Sequence, residues 1–320
     1  MEITTNNAFA DEVNAGLSAP KKYLSSKYFY DATGDELFQK IMRLPEYYLT
    51  RAEFDILDRY KQDILKPLVE RNEQFNLIEM GAGDGLKTRI LLRHLYQNQI
   101  PFTYYPIDIS DNVLNQLQAT LKEEFPGLPV KAIQGTYHEA LEARAWDKQH
   151  PSLMLFLGSN MGNFLEGEAL SLLDELSNAL RPGEMLLAGF DLKKDPEVIL
   201  NAYNDDQGVT SAFNLNLLQR INRELGGDFD ASKFKHWPIY DPVSGECKSY
   251  LVSTEKQEVK ISQIGAVFHF EAHEAIFTEV SKKYSLPELE RYALAKRFEV
   301  EQNFLDDKKY FTDSMWRKMG

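Results

Sequence analysis

The chain of 320 residues holds one cysteine, Cys247. A disulfide within the chain is therefore impossible, and a cysteine-built metal site lacks ligands. No apolar run approaches the roughly 20 residues that span a bilayer. Met1 to Ala10 are too polar and acidic for a signal peptide, so the expected location is the cytoplasm. Basic clusters are missing as well. The formal net charge is −13, and cations gather only in pairs such as Lys21-Lys22 and Lys308-Lys309. A protein that grips a nucleic-acid backbone needs a basic face. Neither nucleic acid nor membrane is the expected partner; small molecules are. Internal repeats and low-complexity tracts are absent. Of the histidines, only His269 and His273 are spaced to share a face, on a segment that reads as a strand over Val267–His273 rather than as a helical zinc motif. No metal is expected. His94, His138, His150 and His236 lack the Ser, Cys or Asp setting of a nucleophilic triad.

What is present is a globular composition, 43% hydrophobic and 12% aromatic, on a chain long enough for about two domains. Residues 8–60 read as helical, with Leu37, Phe38, Ile41 and Met42 at helical spacing. This arm is dense in aromatics: Tyr23, Tyr28, Phe29, Tyr30, Phe38, Tyr47 and Tyr48. Residues 61–194 alternate short apolar strands with amphipathic helices. The strands are Asn76–Met80, Thr103–Asp108, Val130–Gln134, Ser152–Leu157 and Glu184–Phe190. Helices are expected before the first strand and at Leu86–Tyr96, Asn112–Glu124 and Glu166–Ala179. That rhythm predicts an α/β fold with a doubly wound, parallel sheet. Residues 195–281 break the rhythm with helices Val198–Tyr203 and Ala212–Leu225 and strands Lys248–Thr254, Val259–Ile264 and Val267–His273. Ser285-Leu286-Pro287-Glu288 is a capping box that starts a helix to about Phe298. Val300–Leu305 and Phe311–Arg317 read as closing strands. The sheet domain is thus expected at 61–194 plus 282–320, and a second, α+β domain at 1–60 plus 195–281.

The richest stretch is Phe75 to Arg89. An apolar strand ends in Glu79-Met80, a glycine turn follows with Gly81, Gly83 and Gly85, and a helix begins. Such a turn brings backbone N–H groups close to a cofactor. The dinucleotide fingerprint wants a glycine at 86, where Leu86 stands. An acid two residues before the first glycine suits the turn of Rossmann-like S-adenosylmethionine-dependent methyltransferases better. Asp108, at the end of the second strand, can accept from both ribose hydroxyls of an adenosine. Lys87 opposes the dipole at the start of its helix, a cost that an anion such as the cofactor's carboxylate would offset. Thr136 and Tyr137, after the third strand, can address the adenine by an uncharged acceptor and by stacking. Asn163, after the fourth strand, can hold a carboxylate or an amine.

Several segments together resemble the histidine-specific Nα-methyltransferases, the ergothioneine-pathway enzymes that methylate free histidine. They are Lys27-Tyr28-Phe29-Tyr30-Asp31-Ala32, the run Leu44 to Arg51, Gly81-Ala82-Gly83, Phe156-Leu157-Gly158-Ser159, Gly162-Asn163, Ala202-Tyr203 through Asn214, Asn222 to Leu225, and Thr278-Glu279-Val280-Ser281. The likeness spans about residues 15–320. It implies a monomeric, Rossmann-like class I methyltransferase with a second α+β substrate-binding domain, using S-adenosyl-L-methionine. By this resemblance Gly81, Gly83, Lys87 and Asp108 serve the cofactor. Tyr47, Asn163 and Tyr203 hold the backbone end of the amino acid, Glu279 and Ser281 hold the imidazole, and Tyr30 and Phe38 line the amine pocket. Tyr30, Tyr47 and Asn163 are the expected catalytic groups. Two departures stand out. The family's Asp-Phe at the adenine is Thr136-Tyr137 here, and a methionine that walls the imidazole pocket aligns near Ser249.

Overall fold

The computed structural model describes residues 2–71 and 73–320, with side chains from residue 8 onward. Met1, the first residue of the segment read against a signal peptide, lies outside them. In chain order the helices are α1 (Glu2–Ser18), α2 (Ala32–Ile41), α3 (Leu49–Val69), α4 (Thr88–Gln97), α5 (Asp111–Glu124), α6 (Tyr137–Ala143), α7 (Glu166–Ala179), α8 (Pro196–Ala202), α9 (Val209–Leu225) and α10 (Leu286–Ala295). The strands are β1 (Phe75–Met80), β2 (Phe102–Asp108), β3 (Ile133–Gln134), β4 (Ser152–Phe156), β5 (Met185–Asp191), β6 (Phe234–Asp241), β7 (Glu246–Ser253), β8 (Gln257–Ile261), β9 (Ala266–Phe270), β10 (Ala275–Lys282), β11 (Phe298–Leu305) and β12 (Phe311–Lys318). Among the described residues no helix is long and apolar enough to cross a membrane.

The chain divides into two compact units, 1–48 with 194–281, and 49–193 with 282–320. The second unit is built on a seven-stranded sheet of order β11-β12-β5-β4-β1-β2-β3. β1 pairs in parallel with both β2 and β4, and β12 runs antiparallel to β5 and to β11. Each residue of β1 is buried, as expected for a parallel strand covered on both faces. After β1 the chain winds outward through β2 and β3, then returns to lay β4 on the other side of β1. The β1/β4 boundary is therefore the topological switch point, where such sheets bind ligands at their carboxyl ends. The core of this unit packs Ile78, Tyr105, Met154, Phe156, Leu173, Leu186, Phe190 and Trp316.

Two expectations need correction here. α3 had been assigned with the arm, up to residue 60. It belongs instead with the sheet, packed on α4 and β12. Its apolar stripe of Leu49, Ala52, Ile56, Leu57, Ile64, Leu65 and Leu68 is buried, and a 21-residue helix needs a partner along its whole length. The third strand is also shorter than Val130–Gln134. Val130 makes only an isolated bridge to Tyr104, and β3 is two residues long.

The other unit packs α1, α2, α8 and α9 with a three-stranded sheet of order β10-β7-β6 and a β8-β9 hairpin. Phe213, Leu217, Leu218, Ile221 and Leu225 recur at helical spacing along α9, facing Phe9, Val13 and Leu17 of α1 and Leu251 and Ile276 of the sheet. β6 was not among the expected strands, and Pro238 lies in its middle. It is an edge strand, where a missing N–H is tolerated. β9 ends at Phe270, and His273 sits beyond it in a turn with φ +68°. The two histidines therefore do not share a strand face.

Candidate functional site

In the sheet unit the glycine turn follows β1 directly. Gly81, Gly83 and Gly85 have φ of +73°, +54° and +64°, a region where a Cβ is penalised. The turn is pinned to the end of β2. The N–H groups of Gly81 and Ala82 both donate to the Ile107 carbonyl, at 2.9 and 3.0 Å. Asp108 completes the attachment: Oδ2 accepts from Gly83 N–H and Oδ1 from Ser110 N–H, each at 3.0 Å. Its oxygens keep lone pairs for further donors, as ribose hydroxyls require. Space above Gly83 is open, with no atom within 4 Å of where its Cβ would lie. Ile109, next to Asp108, is 67% exposed and offers apolar surface to a flat ring.

Thr136 and Tyr137 begin α6 rather than end a strand. Thr136 is the N-cap of a capping box. Its hydroxyl accepts from Glu139 N–H at 3.3 Å and donates to Glu139 Oε2 at 2.8 Å, and the same oxygen takes the Thr136 N–H at 2.8 Å. The Thr136-x-x-Glu139 spacing was the available signal for this helix. Tyr137 turns inward. Its ring meets Phe156 edge-on at 5.3 Å, and its hydroxyl lies 2.6 Å from where a Gly81 Cβ would be, so a side chain at 81 would have to displace it as well as hold a left-handed φ.

Lys87 does face an anion, but a resident one. Its ammonium is paired with Glu53 of α3, whose side chain is 1% exposed. The other Glu53 oxygen accepts Gly158 N–H at 2.6 Å. Burial opposes the charge on Lys87, but the Glu53 carboxylate outweighs it and holds the ammonium above its ordinary range. Asp313 of β12 is fully buried beside them. Burial, then the neighbouring Glu53 charge, push its carboxyl well above the usual value. Glu79 is buried too. It accepts from the hydroxyls of Thr88 and Tyr104, yet desolvation dominates and lifts it to about 7. Sequence reading missed Glu53 and Asp313. The signal for Glu53 was its place in the apolar stripe of α3, between Leu49 and Leu57.

Asn163 closes a 3-10 turn (Asn160–Asn163) after β4 and is exposed. Ser159 before it has φ +57°, a conformation held because its Oγ accepts the Asp191 N–H at 3.0 Å. Gly162 abuts the strand crossing behind: a Cβ there would lie 2.7 Å from the Lys282 carbonyl.

Every other sequence-predicted substrate residue lies in the smaller unit, and the structure joins Tyr30, Phe38, Tyr47, Tyr203 and Ser281 in one row. Tyr30 meets Phe38 edge-on at 5.6 Å, Phe38 meets Tyr47 at 6.3 Å, and Tyr47 meets Tyr203 at 6.5 Å. Phe213 backs the row at 5.8 Å from both Tyr30 and Phe38. Tyr203, at the C-terminus of α8, donates its hydroxyl proton to Ser281 Oγ at 2.7 Å. Glu279 stands two residues earlier on β10, on the same face, half-buried. His236, buried on β6, supports Tyr203 by donating from Nε2 to its carbonyl at 3.0 Å; burial holds this imidazole below its ordinary pKa, hence neutral. Ser249, at the position of the expected methionine, is 2% exposed.

The strand order, the single reversed strand β12, and a glycine turn at the switch point tied to an acid on β2 together define a class I methyltransferase. Comparison with known proteins narrows the class. The model of the histidine-specific, S-adenosylmethionine-dependent methyltransferases matches residues 9–318. The histidine N-alpha-methyltransferase of Mycolicibacterium smegmatis is 36% identical over 277 residues, covering 87% of this chain and 84% of that one. That of Mycobacterium tuberculosis is 35% identical with the same coverage. Ergothioneine biosynthesis protein 1 of Schizosaccharomyces pombe is 29% identical over 82% of this chain, which corresponds to 34% of its own length. The chain belongs to the histidine-specific, S-adenosylmethionine-dependent methyltransferases.

Proposed function

We infer that the protein methylates the α-amino group of free L-histidine, up to the trimethyl betaine of the ergothioneine pathway, acting as a cytoplasmic monomer. The observation that carries the choice of substrate is the row Tyr30–Phe38–Tyr47–Tyr203 ending at Ser281, with Glu279 on the same face of β10. The sheet unit is the cofactor domain and the smaller unit the substrate domain.

S-Adenosylmethionine supplies an electrophilic methyl on a sulfonium that is already an activated leaving group. The residues of the sheet unit suit it: open space above Gly83, a carboxylate in Asp108 with lone pairs to spare, Ile109 and Tyr137 as apolar surfaces, and an ammonium in Lys87. The remaining work is positioning. Tyr47 and Tyr203 hold the amino acid's carboxylate and aim its nitrogen. An α-amino group has a pKa of about 8, so a proton must leave before attack; solvent, or a water held by a tyrosine hydroxyl, can take it, and no carboxylate base is needed. Each methyl added makes the nitrogen a larger cation. The faces of Tyr30, Phe38 and Tyr47 accommodate such a charge without a counter-ion that would bind the product too tightly. Turnover with a panel of amino acids, read by mass spectrometry, tests the reading. Histidine gaining up to three methyl groups is the expected result, and turnover of tryptophan or tyrosine in preference to histidine would overturn it.

A further inference from the structure

Among the described residues of the sheet unit, Asp313 is a buried carboxyl group whose two oxygens have no hydrogen-bond donor. It is fully buried, and neither of its oxygens accepts a hydrogen bond from a described residue. Across the sheet it pairs with Gly189 of β5. A side chain on Gly189 would run into Glu53 Oε1, so the Glu53 carboxylate lies over the strand directly beside Asp313. Glu53 is itself anchored, by Gly158 N–H on one oxygen and the Lys87 ammonium on the other. Two buried carboxyl groups side by side can share a hydrogen bond only if one carries a proton, and both cannot ionise at neutral pH.

We propose that Glu53 and Asp313 act as one unit that shares a single proton, and that its charge of minus one positions Lys87 to take the carboxylate of the cofactor's amino-acid tail. Both are positioning residues; neither touches the cofactor. The proposal rests on Lys87 as the group that receives that carboxylate. With one proton on the pair, Glu53 and Lys87 cancel. Loss of that proton leaves an excess negative charge where another carboxylate has to come. The groups facing the pair are Lys87 and, on β1, Glu79.

The experiment is calorimetric titration of S-adenosylhomocysteine between pH 6 and 8.5. 5′-Methylthioadenosine, which lacks the amino-acid tail, is the control. The wild-type Kd for S-adenosylhomocysteine should rise about fivefold or more over this range, within the limit of tenfold per pH unit for a single proton, while that for methylthioadenosine stays flat. Asp313→Asn keeps a permanent donor to Glu53 and one negative charge. It should bind within about threefold of wild type at pH 6 and lose the pH slope. Glu79→Gln should keep the slope. A slope that persists in Asp313→Asn, disappears in Glu79→Gln, or is equal for both ligands overturns the proposal. Lys87→Met separates the underlying reading. It should weaken S-adenosylhomocysteine and spare methylthioadenosine; an unchanged Kd for S-adenosylhomocysteine, or the same fold loss for both ligands, would remove Lys87 from the carboxylate site.

Discussion

Replacing Glu279 by alanine puts the substrate assignment under most strain. Ser281 is 3% exposed and Tyr203 is 7% exposed, and their hydroxyls are joined at 2.7 Å. Water therefore has little access to replace a lost partner at that end of the row. In the proposed site Ser281 serves one ring nitrogen of histidine, and Glu279, two residues earlier on β10, would accept from the N–H of the other. A charge-assisted hydrogen bond of this kind, left unmade in a half-buried site, costs about 2–4 kcal/mol, which is about 30- to 900-fold in kcat/KM. Phenylalanine offers neither nitrogen and would strand the carboxylate, so the wild type should prefer histidine by about 10⁴. In Glu279→Ala that preference should shrink by the factor lost on histidine. Steady-state methylation of both amino acids gives the two ratios. Calorimetry with S-adenosylhomocysteine should read wild-type affinity, because the glycine turn and Asp108 belong to the other unit. A Glu279→Ala enzyme that methylates histidine at the parent rate would refute the imidazole assignment and favour a different aromatic amine.

Asp108→Ala removes the acceptor of two backbone N–H groups and, in the proposed site, of the ribose hydroxyls. It should weaken S-adenosylhomocysteine by about 1–3 kcal/mol in calorimetry, and unchanged affinity would take Asp108 out of the site. Glu79 titrates near 7 when folded, against 4.5 ordinarily. The native state therefore binds its proton more tightly. The associated stability is complete below about pH 4.5 and is lost as pH rises through about 7. Melting temperature should fall between pH 5 and 8 more steeply in the wild type than in Glu79→Gln; parallel curves would contradict this. Gly162→Ala drives a Cβ to 2.7 Å from the Lys282 carbonyl. It should cost about 1–3 kcal/mol in chemical denaturation and raise the KM for histidine by displacing Asn163. Wild-type stability and KM would mean that the backbone yields there freely.

Much of this protein follows from local pattern. β1, β2, β4 and β5 announce themselves as apolar runs, because a strand covered on both faces has no polar alternation to show. The glycine turn is legible for a similar reason: a left-handed turn demands glycine at those positions whatever surrounds it. Chain order alone also shows that residues 195–281 interrupt the sheet. Other features carry signals that point the wrong way when read locally. Pro238 argues against a strand until β6 is seen to lie at an edge. Thr136 and Tyr137 look like the end of β3 until Glu139 closes the box that starts α6. α3 has an apolar stripe, but a stripe does not say which partner covers it. The tertiary structure alone decided that α3 packs on α4 and β12, and so carries Glu53 to Lys87 and Asp313. It alone aligned Tyr30, Phe38, Tyr47 and Tyr203, drawn from the arm and from the insertion, into one row. Hydrophobic periodicity records whether a residue is buried, and residue type records which backbone conformations it accepts. Both are properties of a short stretch of chain. Which buried carboxyl keeps its proton, and which ring meets which, depends on groups that are distant in sequence and are brought together only when the sheet and the helices pack.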